Sequence, residues 1–251
     1  MTAVTHQLVT RYRAARTDAG LAVLEGFHAV KHALRFGAVI ESAVTCDRHR
    51  VERLAATLAP DVNALLTYFL QDVPADIFAQ LTPLPPATGV VALARRRAPD
   101  PAPLLADPTG PPLVLLENPS DLGNIGAVVR VAAAAGAAGV LTAGRHDPWH
   151  PAALRGSAGL HFALPVASLP RLPTTPRPVL ALHPDGERLE VAGIPPGALL
   201  AFGTERAGLS PALLALADRR ITIPMRSGIS SLNLATAVAV TLYAWRLGRS
   251  G

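Results

Sequence analysis

Hydrophobic residues fall into short apolar runs that alternate with stretches of helical spacing. In the first part of the chain, the runs 21–24, 39–45, 65–69 and 89–94 predict strands, and the stretch ending at Gly37 together with 51–58 and 74–81 predicts helices. Strands that alternate with helices are typical of a layered α/β unit. We therefore expect residues 1–98 to form one small α/β domain.

The second part of the chain repeats this alternation with more strongly apolar strands. The runs 113–116, 140–142, 163–166, 179–182, 199–202 and 221–225 predict strands, and helices are predicted at 125–135, near Leu154, at 211–217 and from Ser231 onward. Continuously apolar strands are buried on both faces, so the pattern predicts a parallel, doubly wound sheet over residues 113–251. The proline-rich residues 99–112 predict a stiff linker between the two domains.

The amino-acid composition favours a globular protein without membrane spans or disulfides. Half of the 251 residues are hydrophobic and 16% are charged, which supports a sizeable core. No run is long and apolar enough for a membrane span, the first residues are too polar for a signal peptide, and we expect a cytoplasmic protein. Cys46 is the only cysteine, which excludes an internal disulfide; we expect it to be a buried, small apolar residue.

The positive charge is carried almost entirely by arginine. The net charge is +5, and Lys31 is the only lysine. A biased genome composition and a phosphate-binding surface both explain this preference, because the arginine fork suits phosphate. The clusters that we consider as RNA contacts are Arg11, Arg13 and Arg16, and Arg95, Arg96 and Arg97.

Three loops of the second domain follow predicted strands, where ligands bind in parallel sheets. They are residues 118–126, 203–209 and 226–233. Ser230 or Ser231 has a simple role as a helix N-cap. Asn233 is a poor helix former inside an Ala-rich run, which favours a functional role for it. The first loop lacks the spacing of a dinucleotide-binding motif, and no P-loop is present.

Other polar residues have competing interpretations. Arg130 lies on either the solvent face of its helix or the face toward the site, and Glu205 is either its partner or an exposed turn residue. His146 and His150 have a zinc-like spacing, but Pro148 opposes a regular helix there, so no metal is expected. Trp149 has three possible roles: core packing, a dimer contact or base stacking.

Together, the three loops resemble the SpoU/TrmH family of RNA ribose methyltransferases, within the SPOUT superfamily. The motifs that carry the resemblance are Asn124-Ile-Gly with Arg130, Gly203-Thr-Glu205 with Gly208-Leu209, and Ile223-Pro-Met225 with Ser231-Leu232-Asn233. The first domain is similar to an RNA-binding fold of ribosomal-protein type, through Glu25-Gly26 and the strand that begins at Gly89.

This resemblance implies a C-terminal domain with a deep trefoil knot, which binds S-adenosylmethionine, and a homodimer whose active site combines residues of both chains. By position, Gly203, Ile223, Met225 and Leu232 would hold the cofactor. Asn124, Arg130, Glu205, Ser231 and Asn233 would form the catalytic region. The rules for parallel sheets alone predict an unknotted chain.

The implied activity is transfer of a methyl group to a ribose 2′-hydroxyl of rRNA or tRNA. Arginine holds its proton firmly, so Arg130 suits phosphate binding and orientation of the hydroxyl better than proton abstraction. The alternative is a non-catalytic RNA-binding dimer that keeps the knot as a scaffold. A small-molecule methyltransferase of Rossmann type finds no support in the first loop.

Overall fold

The computed structural model describes residues 3–97, 99–204 and 207–248, and the chain divides into two compact units. The first unit contains residues 1–97 and 149–163, and the second contains 98–148 and 164–251. Residues 149–163, which the sequence analysis assigned to the second domain, therefore pack within the first unit. The division of the chain into domains 1–98 and 113–251, with a linker at 99–112, remains a prediction.

The first unit is a four-stranded sheet with helices on both faces. Its strands are β1 (Leu21–Glu25), β2 (Ile40–Thr45), β3 (Leu70–Asp72) and β4 (Val90–Arg95), in the spatial order β1-β4-β2-β3. Its helices are α1 (Ala3–Ala14), α2 (Phe27–Arg35), α3 (Arg48–Leu58), α4 (Asn63–Phe69), α5 (Ala75–Leu81) and α8 (Pro151–Gly156). Strand β4 is antiparallel to β1 and β2, and β3 is parallel to β2.

Alternate residues of these strands face opposite helical layers. Val23, Val44 and Leu93 pack in one cluster with Tyr12 of α1 and Phe78 of α5, while α2 and α4 contact the sheet through β1, β4 and β2. Two sequence predictions were wrong here. Residues 65–69 belong to α4 rather than to a strand, and Cys46, which follows the end of β2, is exposed.

The second unit is a six-stranded sheet in which every pairing is parallel. Its strands are β5 (Leu113–Glu117), β6 (Gly139–Ala143), β7 (Val166–Leu169), β8 (Val179–Arg188), β9 (Leu199–Phe202) and β10 (Arg219–Thr222), in the spatial order β10-β8-β9-β5-β6-β7. Its helices are α6 (Pro101–Ala106), α7 (Leu122–Ala135), α9 (Leu189–Ala192), α10 (Pro211–Leu216) and α11 (Leu234–Gly248). The predicted parallel α/β sheet is therefore confirmed.

Several element boundaries differ from the predicted ones. Strand β7 begins at Val166, three residues after the predicted start, and β10 ends at Thr222, so Ile223 and Met225 lie in the loop beyond it. Helix α11 begins at Leu234 rather than Ser231. The predicted end of α7 is confirmed, since Gly136 adopts a left-handed φ of 74°.

The proline-rich segment 99–112 contains a helix that packs on the second unit. Leu105 of α6 is buried in the same cluster as Leu113, Leu141 and Leu169. The buried guanidinium of Arg177 donates hydrogen bonds to the carbonyl oxygens of Leu104, at 2.5 Å, and of Pro111 and Gly197, at 3.1 and 2.8 Å. This segment is therefore held along its length rather than free. Within the described ranges, no helix is long and apolar enough to cross a membrane.

Candidate functional site

Two adjoining cavities lie at the carboxyl ends of β9 and β10, beside residues 182–184 in the middle of β8. The larger has a volume of about 480 Å³, and Gly203 and Leu232 contribute to its lining. The smaller, of about 140 Å³, is lined in part by Ile223, Met225 and Leu232. Ser231 contributes to both. The structure thus brings all four predicted cofactor residues to one place, where parallel sheets usually bind ligands.

Position 203 requires glycine, because the backbone of Gly208 passes too close to it for a side chain. A side-chain Cβ at this position would lie 2.0 Å from the carbonyl carbon of Gly208. Thr204 and Gly208 exchange two backbone hydrogen bonds, at 3.2 and 3.0 Å, which close the loop against the end of β9. Glycine at 203 therefore permits the loop that walls the larger cavity.

Asn233 is the N-cap of α11, so the prediction that Ser230 or Ser231 caps this helix was wrong. The Asn233 side-chain oxygen accepts hydrogen bonds from the backbone N–H groups of Ala235 and Thr236, at 2.9 and 3.3 Å. These two donors are therefore used within the chain. Because Asn233 precedes the helix, its low helix propensity no longer implies a functional role.

The Asn233 amide nitrogen also donates a hydrogen bond to the Asn124 side-chain oxygen, at 3.0 Å. Asn124 lies in the first turn of α7, where its own backbone N–H donates to Asp121, the N-cap, at 2.7 Å. The structure therefore ties the beginnings of α7 and α11 together. Two of the predicted catalytic residues are direct partners, although they are 109 positions apart.

Arg130 lies about two turns into α7, because the helix begins at Leu122 rather than at the predicted Ile125. Its side chain is exposed, has no hydrogen bond or ion pair within the described residues, and does not line either cavity. Glu205, the other charged residue of the predicted catalytic set, lies outside the described residues.

The sequence analysis missed a carboxylate that fixes the loop of the larger cavity. Both oxygens of Glu117, the last residue of β5, accept hydrogen bonds at 2.7 Å, from the backbone N–H and from the hydroxyl of Ser210. The Ser210 hydroxyl in turn accepts a hydrogen bond from the backbone N–H of Leu213 and caps α10. An acidic residue at the end of an apolar strand was the available signal for this contact.

The predicted RNA-binding arginines differ in how the first unit uses them. Arg11 and Arg95 form exposed ion pairs with Glu41, at 2.6 and 3.0 Å, and Arg13 donates to a backbone carbonyl. Exposed ion pairs of this kind are weak, so these side chains remain able to exchange partners.

The other arginines of these clusters hold the unit together. Arg16 and Arg155 both pair with the buried carboxylate of Glu25. The Arg96 guanidinium donates to the carbonyl of Leu21, at 2.5 Å, and Arg97 donates to the carbonyls of Phe36, Gly37 and Phe162.

His150, one of the two histidines near Pro148, has a structural role. The ring nitrogen Nδ1 of His150 accepts from the backbone N–H of Ala152, at 3.1 Å, and caps α8. Trp149 is buried and packs against His161 and Phe162, which decides in favour of core packing. A search of the described residues finds no group of three or more histidine, cysteine or acidic side chains suited to a metal ion.

A model of the SpoU rRNA Methylase family matches residues 111–243, more than half of the chain. The chain belongs to this family. The matched residues include the whole parallel sheet, both cavities and α7, so the predicted relationship is confirmed.

Individual relatives in the family act on ribosomal RNA. The chain is 36% identical over 145 residues to the 23S rRNA (uridine(2479)-2′-O)-methyltransferase of Streptomyces viridochromogenes, covering 52% of this chain and 50% of that protein. It is 28% identical over 243 residues to the 23S rRNA (guanosine(2553)-2′-O)-methyltransferase RlmP of Bacillus subtilis, covering 92% and 90%. The chain thus spans about half the length of one of these relatives and most of the other.

The fold matches a solved family structure along the whole chain. The SpoU methyltransferase AviRb of S. viridochromogenes, in complex with the cofactor AdoMet, aligns with a TM-score of 0.78 and 25% identity, covering 100% of this chain and 99% of that one.

Proposed function

We propose that this member of the SpoU family is an S-adenosylmethionine-dependent methyltransferase that modifies a ribose 2′-hydroxyl of rRNA or tRNA. The observation that carries the proposal is the meeting of Gly203, Ile223, Met225 and Leu232 around two adjoining cavities at one edge of the parallel sheet. Relatives named as 23S rRNA 2′-O-methyltransferases support the reaction and the substrate class. A ribosomal or transfer RNA substrate fits a cytoplasmic location.

The lining of the cavities fits this cofactor. Leu182, Ile223 and Leu232 supply apolar walls for a flat aromatic ring, and the close backbone of the Gly203 loop supplies polar groups. The combined size lies in the range of small-molecule sites. S-adenosylmethionine supplies an electrophilic methyl group when bound, and the chain's task is to hold that group in line with the ribose hydroxyl.

In this proposal, Arg130 binds the RNA phosphate next to the reacting ribose. A guanidinium binds a phosphate through two parallel hydrogen bonds and stays protonated, so it positions the hydroxyl and does not take its proton. The Arg130 side chain is exposed and has no hydrogen bond or ion pair with any described residue, so it is available to bind RNA. Asn124, Glu205, Ser231 and Asn233 complete the catalytic region, with the Asn124–Asn233 bond fixing the start of α11.

The active site combines residues of two chains in a homodimer. Arg130 is exposed and outside both cavities, so it would reach the reacting hydroxyl from the partner subunit. Helix α11 offers an apolar surface for the contact, because Val240, Tyr243 and Leu247 lie along it with 39%, 40% and 69% of their surfaces exposed. Light scattering coupled to size exclusion would give the mass of a dimer, and a monomer would contradict this arrangement.

The C-terminal chain forms a deep trefoil knot, and the first unit is an RNA-binding domain of ribosomal-protein type. The knot is proposed from the family relationship and from the fold match to AviRb. The four-stranded sheet of the first unit with helices on both faces is compatible with the second assignment. All six predicted RNA contacts bind within the unit; Arg11, Arg13, Arg95 and Arg97 are nevertheless exposed, whereas Arg16 and Arg96 are half-buried.

The test is methyl transfer from labelled S-adenosylmethionine to RNA from cells that lack the gene. We expect alkali-resistant methylated dinucleotides, and their absence with every RNA class would contradict the proposal. Arg130→Ala should abolish transfer and leave cofactor affinity nearly unchanged; full activity would refute its role. The non-catalytic alternative predicts that calorimetry detects no binding of the cofactor or its demethylated product.

A further inference from the structure

A third cavity lies at the same edge of the parallel sheet as the cofactor cavities. It has a volume of about 660 Å³ and is formed at the carboxyl ends of β5, β6 and β7. Helix α10 forms one wall through Ala212, Leu213 and Leu216, and the proline-rich segment around Arg171 forms another. Its size is within the range of sites that enclose most of a small ligand.

The cavity is close to the reaction site but separate from it. Strand β5, at the third cavity, is the direct neighbour of β9, beside the cofactor cavities. The third cavity shares no lining residue with either cofactor cavity. Helix α10 follows the loop that begins at Gly203, and its residues line the third cavity but neither cofactor cavity. The bond between Glu117 and Ser210 fixes the start of this helix from the side of the third cavity.

Two side chains in this cavity are available for a ligand. Arg171 is exposed and forms no hydrogen bond or ion pair with any residue that the structure describes. The side-chain amide of Asn118 likewise has no hydrogen bond within the described part of the chain. Glu117 is different, since both of its oxygens are bound to Ser210.

The position of Asn118 is unusual for a non-glycine residue. Its φ is 49°, a left-handed conformation that occurs often at functional sites. Its backbone N–H donates to the carbonyl of Ala143 at 2.6 Å, which joins the ends of β5 and β6. Gly144 leaves room for the amide, because a Cβ there would lie 2.9 Å from the Asn118 side-chain oxygen. The local structure thus presents this amide at the mouth of the cavity.

These features match the chemistry of one unpaired nucleotide. A guanidinium binds phosphate, an amide pairs its donor and acceptor with the edge of a base, and Leu172 and Pro173 provide apolar walls for the ring. We propose that this cavity binds a second nucleotide of the RNA, a few positions from the methylated one, with its phosphate on Arg171 and its base edge on Asn118. The proposal rests on the proposed methyltransferase function and adds a specificity site to it.

Paired variants of α10 test the cavity itself. Ala212 lines the cavity, whereas Ala215 is an equally exposed alanine of the same helix that does not. Ala212→Trp should fill the space and raise the KM for RNA by about tenfold or more, with a much smaller effect on kcat. Ala215→Trp should leave both constants unchanged. If Ala212→Trp and Ala215→Trp had the same KM for RNA, the proposal would be overturned.

The polar contacts are tested by a second set of variants. Arg171→Ala should weaken binding of RNA in a filter assay by about tenfold and lower the dependence of log affinity on log salt concentration by about one unit. The control is Arg220→Ala, an exposed arginine on β10 that is outside the cavity. Asn118→Gly removes the amide while tolerating the positive φ, and should also weaken RNA binding. Equal losses for Arg171→Ala and Arg220→Ala would contradict the assignment.

Two further measurements separate the possible outcomes. S-adenosylmethionine affinity, measured by calorimetry, should be the same in all these variants, because none of them touches the cofactor cavities. RNA binding does not require catalysis, so it tests the cavity even where methyl transfer fails. The four free 5′-mononucleotides should bind only weakly. Micromolar binding of one of them, lost in Ala212→Trp, would instead identify a free nucleotide as the ligand and overturn the RNA assignment.

Discussion

The double role of Asn233 gives a prediction whose size follows from its hydrogen bonds. Its oxygen accepts from two backbone N–H groups at the start of α11, and its nitrogen donates to Asn124. Loss of an N-cap costs about 1 kcal/mol. Loss of an exposed hydrogen bond between side chains costs a further ~0.5–1 kcal/mol. Asn233→Ala should therefore destabilise the beginning of α11 by about 1.5–2 kcal/mol.

Asn233→Asp separates the two contributions. The aspartate retains an oxygen acceptor for the cap and gains a favourable charge at the helix N-terminus. It loses the donor to Asn124 and places a carboxylate against the oxygen of that amide. We therefore expect a net loss of about 0.5 kcal/mol or less, well below that of the alanine variant. Asn124→Ala should remove the contact between the two side chains and leave the N-cap of α11 in place.

Hydrogen exchange measured by mass spectrometry on peptides from the start of α11 is suited to this prediction, because it reports local opening in a chain of two units. Asn233→Ala should lower protection there by roughly tenfold to thirtyfold. In a double-mutant cycle, Asn233→Ala and Asn124→Ala should not be additive. Additive effects, or unchanged protection in Asn233→Ala, would refute the proposed coupling between α7 and α11.

Three other predictions concern contacts described above. Arg177→Met should lower the free energy of unfolding of the second unit by about 3–5 kcal/mol, because three backbone carbonyls lose their donor in a buried place. Glu117→Ala should weaken S-adenosylmethionine binding in calorimetry by about tenfold, because Ser210 and the preceding loop lose their anchor. Burial lowers the pKa of His32, so its unfolded state binds a proton more readily and the first unit should lose stability as the pH falls below about 6.5.

Matched variants make each of these results interpretable. Arg188→Ala removes an exposed arginine paired with Glu190 and should change stability by less than ~0.5 kcal/mol; an equally small effect of Arg177→Met would contradict the buried clamp. Glu117→Gln retains one acceptor and should give an intermediate affinity for the cofactor. Thermal unfolding of His32→Gln between pH 7.5 and 5.5 should show a weaker dependence on pH than the unmodified protein.

The sequence was sufficient for elements whose pattern is local. Apolar runs identified the strands beginning at Leu113, Val179 and Leu199 within a residue or two at their start, because a strand buried on both faces leaves few polar positions. The cap of α10 at Ser210 was equally predictable, since a Ser-Pro pair before an apolar stretch has a local preference. The motifs also singled out Gly203, Ile223, Met225 and Leu232, which line two adjoining cavities in the structure.

Contacts between distant parts of the chain were decided only by the tertiary structure. Spacing could not show that Asn233 binds Asn124, or that Glu117 holds Ser210, because these residues are 109 and 93 positions apart. Residues 65–69 were predicted as a strand, yet their neighbours in three dimensions favour a helix. Local sequence patterns specify which helices and strands can form. Which polar groups bind one another depends on the folded structure, because polar groups that folding removes from water need a hydrogen-bond partner within the protein.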